Sequence, residues 1–405
     1  MICSGQDIVC SIGIDMLLYT EGGISYKEVC FVREFGIFHG NLWSNDKKTN
    51  ALKRFYFISV LILFQIVTGC RIINPSSEKT EQDVVSYYNS ICVAKNGIYY
   101  WKTVYNLTAG DSCFMKRHEV ERMYLRLFDV HVNSDADRVD PVATLMFKQP
   151  MPADCEIVPT VYITIEALRY MIAKDEIKVY AEKIAERIRQ MLRYNDILNV
   201  REVQFDCDWT KSTQDYYFEL LEFLRDLLAK QGKIVSATIR LWQLGCPVPP
   251  VDKGVLMCYN TGAVMNPDTY NSIIDLKDVT PYLGKLKEYR LPLDVAYPAF
   301  GWTVWFRDNR FKALIRSAHL TDSLLYQHLG GNKYKVLKNH YLDTKYLMAG
   351  DVLRVETSDW HKIWEVKQAV EPRLRYGVYS VILYHLDYAN LKRYENHEID
   401  SIYMH

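Results

Sequence analysis

From about residue 96 onward, strand-like runs alternate with helix-like runs, and this alternation restricts the chain to few architectures. The strand-like runs are 98–105, 123–130, 157–166, 202–209, 233–241, 254–260, 291–299 and 378–386. Between several of them, apolar residues recur at helical spacing, over 167–194, 213–230 and 311–329, with Gly232 and Gly330-Gly331 as stops. A further helix is expected from Ser358 as N-cap, with Asp359 in its first turn. The stretch 334–357 reads as a β-hairpin turning at Gly350-Asp351. Repeated βα units of this kind predict an α/β fold, a (β/α)8 TIM barrel, with the hairpin inserted before the eighth strand.

Within the strands, polar and apolar residues alternate. Val203, Phe205 and Cys207 share one face, and Gln204, Asp206 and Asp208 share the other. Ser236, Thr238, Arg240 and Trp242 form a second polar face, and Tyr162, Thr164 and Glu166 a third. The outer faces must pack on helices, so the polar faces are expected to line the barrel. Sites in such barrels lie at the C-terminal ends of the strands. That rim collects Asp129, Glu166, Asp206, Asp208, Trp209, Arg240, Trp242, Tyr259, Asn260, Tyr297, Trp302, His385 and Asp387. Carboxylates beside aromatics suit carbohydrate chemistry, in which a carboxylic acid protonates the leaving oxygen and rings stack on sugars. Crowded carboxylates raise one another's pKa and supply such an acid. Other roles stay open: Asp206 and Asp208 could pair with Arg126 and Arg240 inside the lumen, or hold a divalent cation. His385 with Asp387 also fits a hydrogen-bonded strand end. No metal or other cofactor is expected, since the chain has no Gly-rich phosphate loop, nucleophile elbow or HExxH motif.

The run Phe205-Asp-Cys-Asp-Trp209 resembles the fourth-strand signature of chitinase-like, family-18 glycoside hydrolases, and Met257-Cys-Tyr-Asn260 resembles their sixth-strand element. Tyr297 is similar to that family's seventh-strand tyrosine. The resemblance implies that Asp208 orients a substrate acetamido group, that Asp206 supports it, and that Tyr259 and Tyr297 contact the sugar. The chain departs from the pattern at Thr210, where the family carries its catalytic Glu, and at Val203, where the longer signature has an Asp. A threonine is no general acid near pH 7. Either Glu166 or Asp387 supplies the proton, or the glycan is bound and left intact. The expectation is therefore a glycoside hydrolase-like barrel with Asp206, Asp208 and Glu166 as catalytic candidates. Trp209, Arg240, Trp242, Tyr259, Asn260, Tyr297, Trp302 and Asp387 are the binding candidates. The alternative is a glycan-binding or envelope scaffold protein without catalysis.

Residues 51–70 read as a signal segment. Lys53 and Arg54 precede an apolar core from Phe55 to Val67, which is too short to span a bilayer of ~30 Å. Val67-Thr-Gly-Cys70 resembles the lipobox of bacterial lipoproteins, which implies a lipid on Cys70 and a place in the cell envelope. Arg71-Ile-Ile-Asn74 lacks the acidic cluster that resembles a surface-export signal of some Gram-negative lipoproteins, and by that resemblance the periplasmic face of the outer membrane is expected. Residues 1–50 are an unexpected leader. No Met lies between Met16 and Met115, so translation is expected to begin near Leu52. Residues 71–95 read as a polar tether and 96–405 as the barrel domain. Lys+Arg and Asp+Glu balance at 49 each, so no net field favours nucleic acid. None of the ten cysteines forms a CxxC pair, and Cys207 and Cys258 sit in strands as small buried residues.

Overall fold

The computed structural model describes residues 94–404 apart from 317 and 319. The leader, the signal segment with Cys70 and nearly all of the tether lie outside the described residues. Eight parallel strands form a closed ring: β1 (Asn96–Tyr100), β2 (Val120–Asn133), β3 (Glu156–Ile163), β4 (Glu202–Asp206), β5 (Ile234–Arg240), β6 (Lys253–Met257), β7 (Leu293–Pro298) and β8 (Val381–Tyr384). Each pairs with its sequence neighbour, and β1 also pairs with β8, which closes the barrel. All eight coincide with the strand-like runs of the sequence.

The helices are α1 (Ala109–Arg117), α2 (Ile165–Lys174), α3 (Ile177–Tyr194), α4 (Gln214–Ala229), α5 (Leu276–Val279), α6 (Trp360–Val370), α7 (Tyr388–Leu391) and α8 (Asn396–Tyr403). The single helix expected over 167–194 is broken at Asp175, whose φ of 56° ends α2 in the left-handed region. Asp359, not Ser358, is the N-cap of α6, accepting from the His361 N–H. The Ser358 hydroxyl instead exchanges hydrogen bonds with the backbone of Phe300. No described helix is long and apolar enough to cross a membrane.

Two expectations are corrected between β7 and β8. Residues 311–329 are not helical. They contribute the strands Arg310–Arg316 and Tyr326–Gly330, and Gly330 and Gly331 take positive φ in a turn rather than stopping a helix. The reason is visible in Arg310-Phe-Lys-Ala-Leu-Ile-Arg316, where exposure alternates along most of the strand, a period of two. The hairpin expected over 334–357 is likewise part of something larger. A five-stranded antiparallel sheet runs in the order Arg310–Arg316, Gly301–Arg307, Val352–Thr357, Lys333–Val336, Tyr326–Gly330. It has its own small core around Trp305, Val336, Leu347 and Leu353.

The barrel lumen is filled in layers. At the N-terminal end lies an ionic network: Lys253 Nζ is 3.0 Å from Glu202 and 2.5 Å from Asp294, and Arg122 contacts Glu156 at 3.2 Å. The Ser236 hydroxyl donates to Glu202, and the Ser380 N–H and the Tyr124 hydroxyl donate to Asp294. Burial pushes the Asp294 carboxyl up, but Lys253 and Arg122 hold it below the usual carboxylate range. Above this layer the Tyr99 hydroxyl donates to Gln204 at 2.8 Å. The Asp206 layer follows, at the open mouth.

Candidate functional site

The C-terminal mouth opens into a cleft of about 780 Å³. Its polar residues come from strand ends whose inward parity was set lower in the barrel. On β2, Arg122, Tyr124 and Arg126 alternate inward; on β4, Glu202, Gln204 and Asp206; on β6, Lys253 and Met257, with Tyr259 following in the same phase. Asp206 lies deepest, 7% exposed, and accepts from the Thr238 hydroxyl at 2.7 Å. Burial pushes its carboxyl up to about 6, the negative Asp208 adds to this, and the Arg240 guanidinium opposes it. Above it, half-exposed Asp208 accepts from Arg240 Nε at 2.7 Å. Across the mouth, Asp129 pairs with Arg126, whose Nε donates at 2.7 Å.

The remaining walls are aromatic. Tyr384, from the end of β8, stacks on Tyr259 at 4.9 Å between ring centroids. Trp101 and Phe300 each lie 5.8 Å from Tyr384, and Trp302 lies 5.2 Å from Phe300. Together they make a continuous apolar band beside the fixed ion pairs. Trp302 belongs to the inserted sheet and is held by its indole N–H, which donates to Glu356 at 2.8 Å. Glu356 is itself fully enclosed, accepting from Ser272 and from Arg354, and Arg354 also donates to the carbonyls of Val264 and Asn266. Glu356 therefore positions Trp302 and fastens the sheet to the loop after β6. The inserted sheet also brings Leu314, Ile315 and Arg316 to the cleft.

Of the residues singled out in the sequence, Asp206, Asp208, Arg240, Tyr259, Asn260, Trp302 and Asp387 all line this cleft. Four do not. β3 ends at Ile163, and Thr164 caps α2 by accepting from the Ala167 N–H, so Glu166 sits exposed in the first helical turn. Trp209 follows Asp208 on the opposite phase and is buried behind the mouth against Phe218. Trp242 leaves the phase of β5 because a 3₁₀ turn, Leu241–Gly245, begins directly after Arg240; its ring meets Trp209 edge-on. Tyr297 has outward parity, since Asp294 on the same strand faces the lumen, and its hydroxyl donates to Glu371 behind the sheet. Thr210 also lies outside the cleft, with its N–H donating to the Thr213 hydroxyl.

The open alternatives are narrowed. Asp208 pairs with Arg240, while Arg126 serves Asp129 rather than Asp206. No cluster of metal-ligating side chains exists among the described residues. His385 lines the cleft without a partner for Nδ1 among the described residues, and burial pushes its imidazole down to about 4. Asp387 is engaged as the cap of α7. Cys207 and Cys258 are buried thiols, as their strand positions imply. The sequence reading passed over Trp101, Phe300, Tyr384 and Arg316. The first lies in the same inward phase as Tyr99, one signal that could have found it.

No protein-family model matches this sequence, and no curated protein matches it. Solved structures of similar fold do exist. A chitinase from Chromobacterium violaceum is 13% identical, with a TM-score of 0.43, covering 74% of this chain and 98% of that one. The spore cortex-lytic enzyme SleL of Bacillus megaterium is 11% identical, with a TM-score of 0.47, covering 78% and 75%. The Group IV chitinase of Ostrinia furnacalis, in complex with allosamidin, is 11% identical, with a TM-score of 0.47, covering 77% and 98%. The barrel itself stands on its strand order and closure.

Proposed function

We propose that the mouth of this barrel binds a glycan and leaves it intact. The observation that carries this reading is the state of the carboxylates. The position that resembles the family's proton donor is Thr210, turned out of the cleft. The half-exposed Asp208 is ion-paired with Arg240, and Asp387 is taken up by its own helix cap. What remains suits binding: fixed, charged hydrogen-bonding pairs beside an aromatic band, in a cleft roomy enough for an oligosaccharide. The hydrolytic alternative keeps one foothold, Asp206, whose pKa near 6 leaves it partly protonated in mild acid. It lies at the floor, beneath Asp208.

Screening the full-length protein against a glycan array is expected to give specific binding. Trp302→Ala should weaken that binding about tenfold or more, the usual cost of removing a central aromatic anchor of ~1.5–3 kcal/mol. A protein that retains no glycan, or a Trp302→Ala variant that binds as well as wild type, would sink the reading.

We also propose that the barrel works outside the cytosol, at the periplasmic face of the outer membrane, on a lipid carried by Cys70. Segment 51–70 alone supports this. Intact mass of protein extracted from membranes should correspond to a chain beginning at an acylated Cys70. A mature chain that retains residues 1–50 contradicts it.

A further inference from the structure

The cleft is not electrically uniform. Its two pairs, Arg240 with Asp208 and Arg126 with Asp129, cancel internally, and the carboxyl of Asp206 lies buried at the floor in the field of Arg240. Near His385 two further cations line the same cavity: Lys102, just after β1, whose Nζ lies 5.3 Å from the centre of the Tyr100 ring, and Arg316, at the end of an inserted strand. Among the described residues neither has an acidic partner at ion-pair distance. Asp387 lines the cleft as well; it accepts from the Ala389 N–H at 3.0 Å and from the Asn390 amide at 3.4 Å, and is in ion-pair contact with neither cation. Both cations act on the His385 imidazole, which places them near one another.

Two cations from separate elements that line one cavity without an ion-pair partner among the described residues supply a receiving point for an anion. From this we infer that the glycan bound in the mouth is an acidic one, whose carboxylate is received between Lys102 and Arg316 while its sugar rings lie along the aromatic band. Arg316 offers a planar fork that matches a carboxylate, and Lys102 a mobile point charge. The class of ligand is thus a uronic acid-containing oligosaccharide. This rests on the reading of the mouth as a glycan site, and adds the sign of the charge it selects.

The test compares uronic acid oligosaccharides (hyaluronan, heparosan, oligogalacturonate and alginate fragments) with the same oligosaccharides after reduction of their carboxyl groups, titrated into the full-length protein. Chitohexaose serves as a neutral N-acetylated control. At least one acidic oligosaccharide should bind tenfold or more tightly than its carboxyl-reduced form, and the preference should shrink as salt is raised. Lys102→Gln with Arg316→Gln should abolish the preference, so that the variant binds the native and the carboxyl-reduced form with equal affinity. Equal affinity for each native and reduced pair, or a preference that survives the double substitution, overturns the anionic receptor and leaves the glycan site standing. Absence of binding to every sugar, chitohexaose included, overturns both.

Discussion

Lys253→Met is expected to cost about 3–5 kcal/mol of stability, the usual loss when one partner of a buried ion pair is removed. The side chain ends between Glu202 and Asp294, and all three residues are 2% exposed or less. Methionine fills the space but leaves both carboxylates facing each other near the barrel axis, with Arg122 alone to compensate. Denaturant titration of wild type and variant measures the effect. Adding Asp294→Asn to Lys253→Met should recover part of the loss, because one of the two uncompensated charges is then gone. A change below about 1 kcal/mol would mean that the network contributes little beyond filling the lumen.

Asp206→Asn is expected to change stability in a pH-dependent way. The folded-state pKa of Asp206, about 6, lies above its ordinary 3.8. Between those values the folded protein holds a proton that the unfolded chain has released. The ionised group therefore costs stability above pH 6, by up to about 3 kcal/mol, and the cost fades as pH falls toward 4. The asparagine variant escapes it and still accepts from Thr238. It should be more stable than wild type at pH 7.5 and nearly equal to it at pH 4. His385 acts in the opposite sense, since burial lowers its pKa to about 4 and favours the fold as pH rises. Comparing the variant with wild type in the same buffers removes that contribution. A stability difference that stays constant from pH 4 to 7.5 would contradict the assignment of Asp206 as a desolvated carboxyl.

Much of the barrel is legible in the sequence because several strands, β4 and β5 clearest, carry a period of two and several are followed by a helix. The site is legible only as far as that parity is followed to the end of each strand. On β4 the alternation of Glu202, Gln204 and Asp206 runs unbroken to the mouth, so Asp206 and Asp208 are found where expected. On β7 the charge at Asp294 fixes which residues face the lumen and sends Tyr297 outward; a resemblance of one tyrosine could not outweigh it. Glu166 and Trp242 fail for a different reason. Local signals, the Thr164 cap and the 3₁₀ turn after Arg240, end the strands before those residues are reached. The inserted sheet is hard to read because Phe311, Leu314 and Ile315 fit a helical spacing as well as a strand. With it go Arg316 and the origin of one cleft wall. None of these side chains announces itself by type, and Tyr384 and Phe300 look like core residues until the closed ring brings them to its mouth.

A mouth that holds a glycan without cutting it returns that glycan unchanged. The most direct test follows one oligosaccharide that the protein binds, incubated to saturation over several pH values between 4 and 8, with its mass read over time. The sugar should be recovered whole at every pH, from wild type and Asp206→Asn alike. Shortened products that appear with wild type near pH 5 and vanish with Asp206→Asn would contradict it and make the floor carboxyl a catalytic acid.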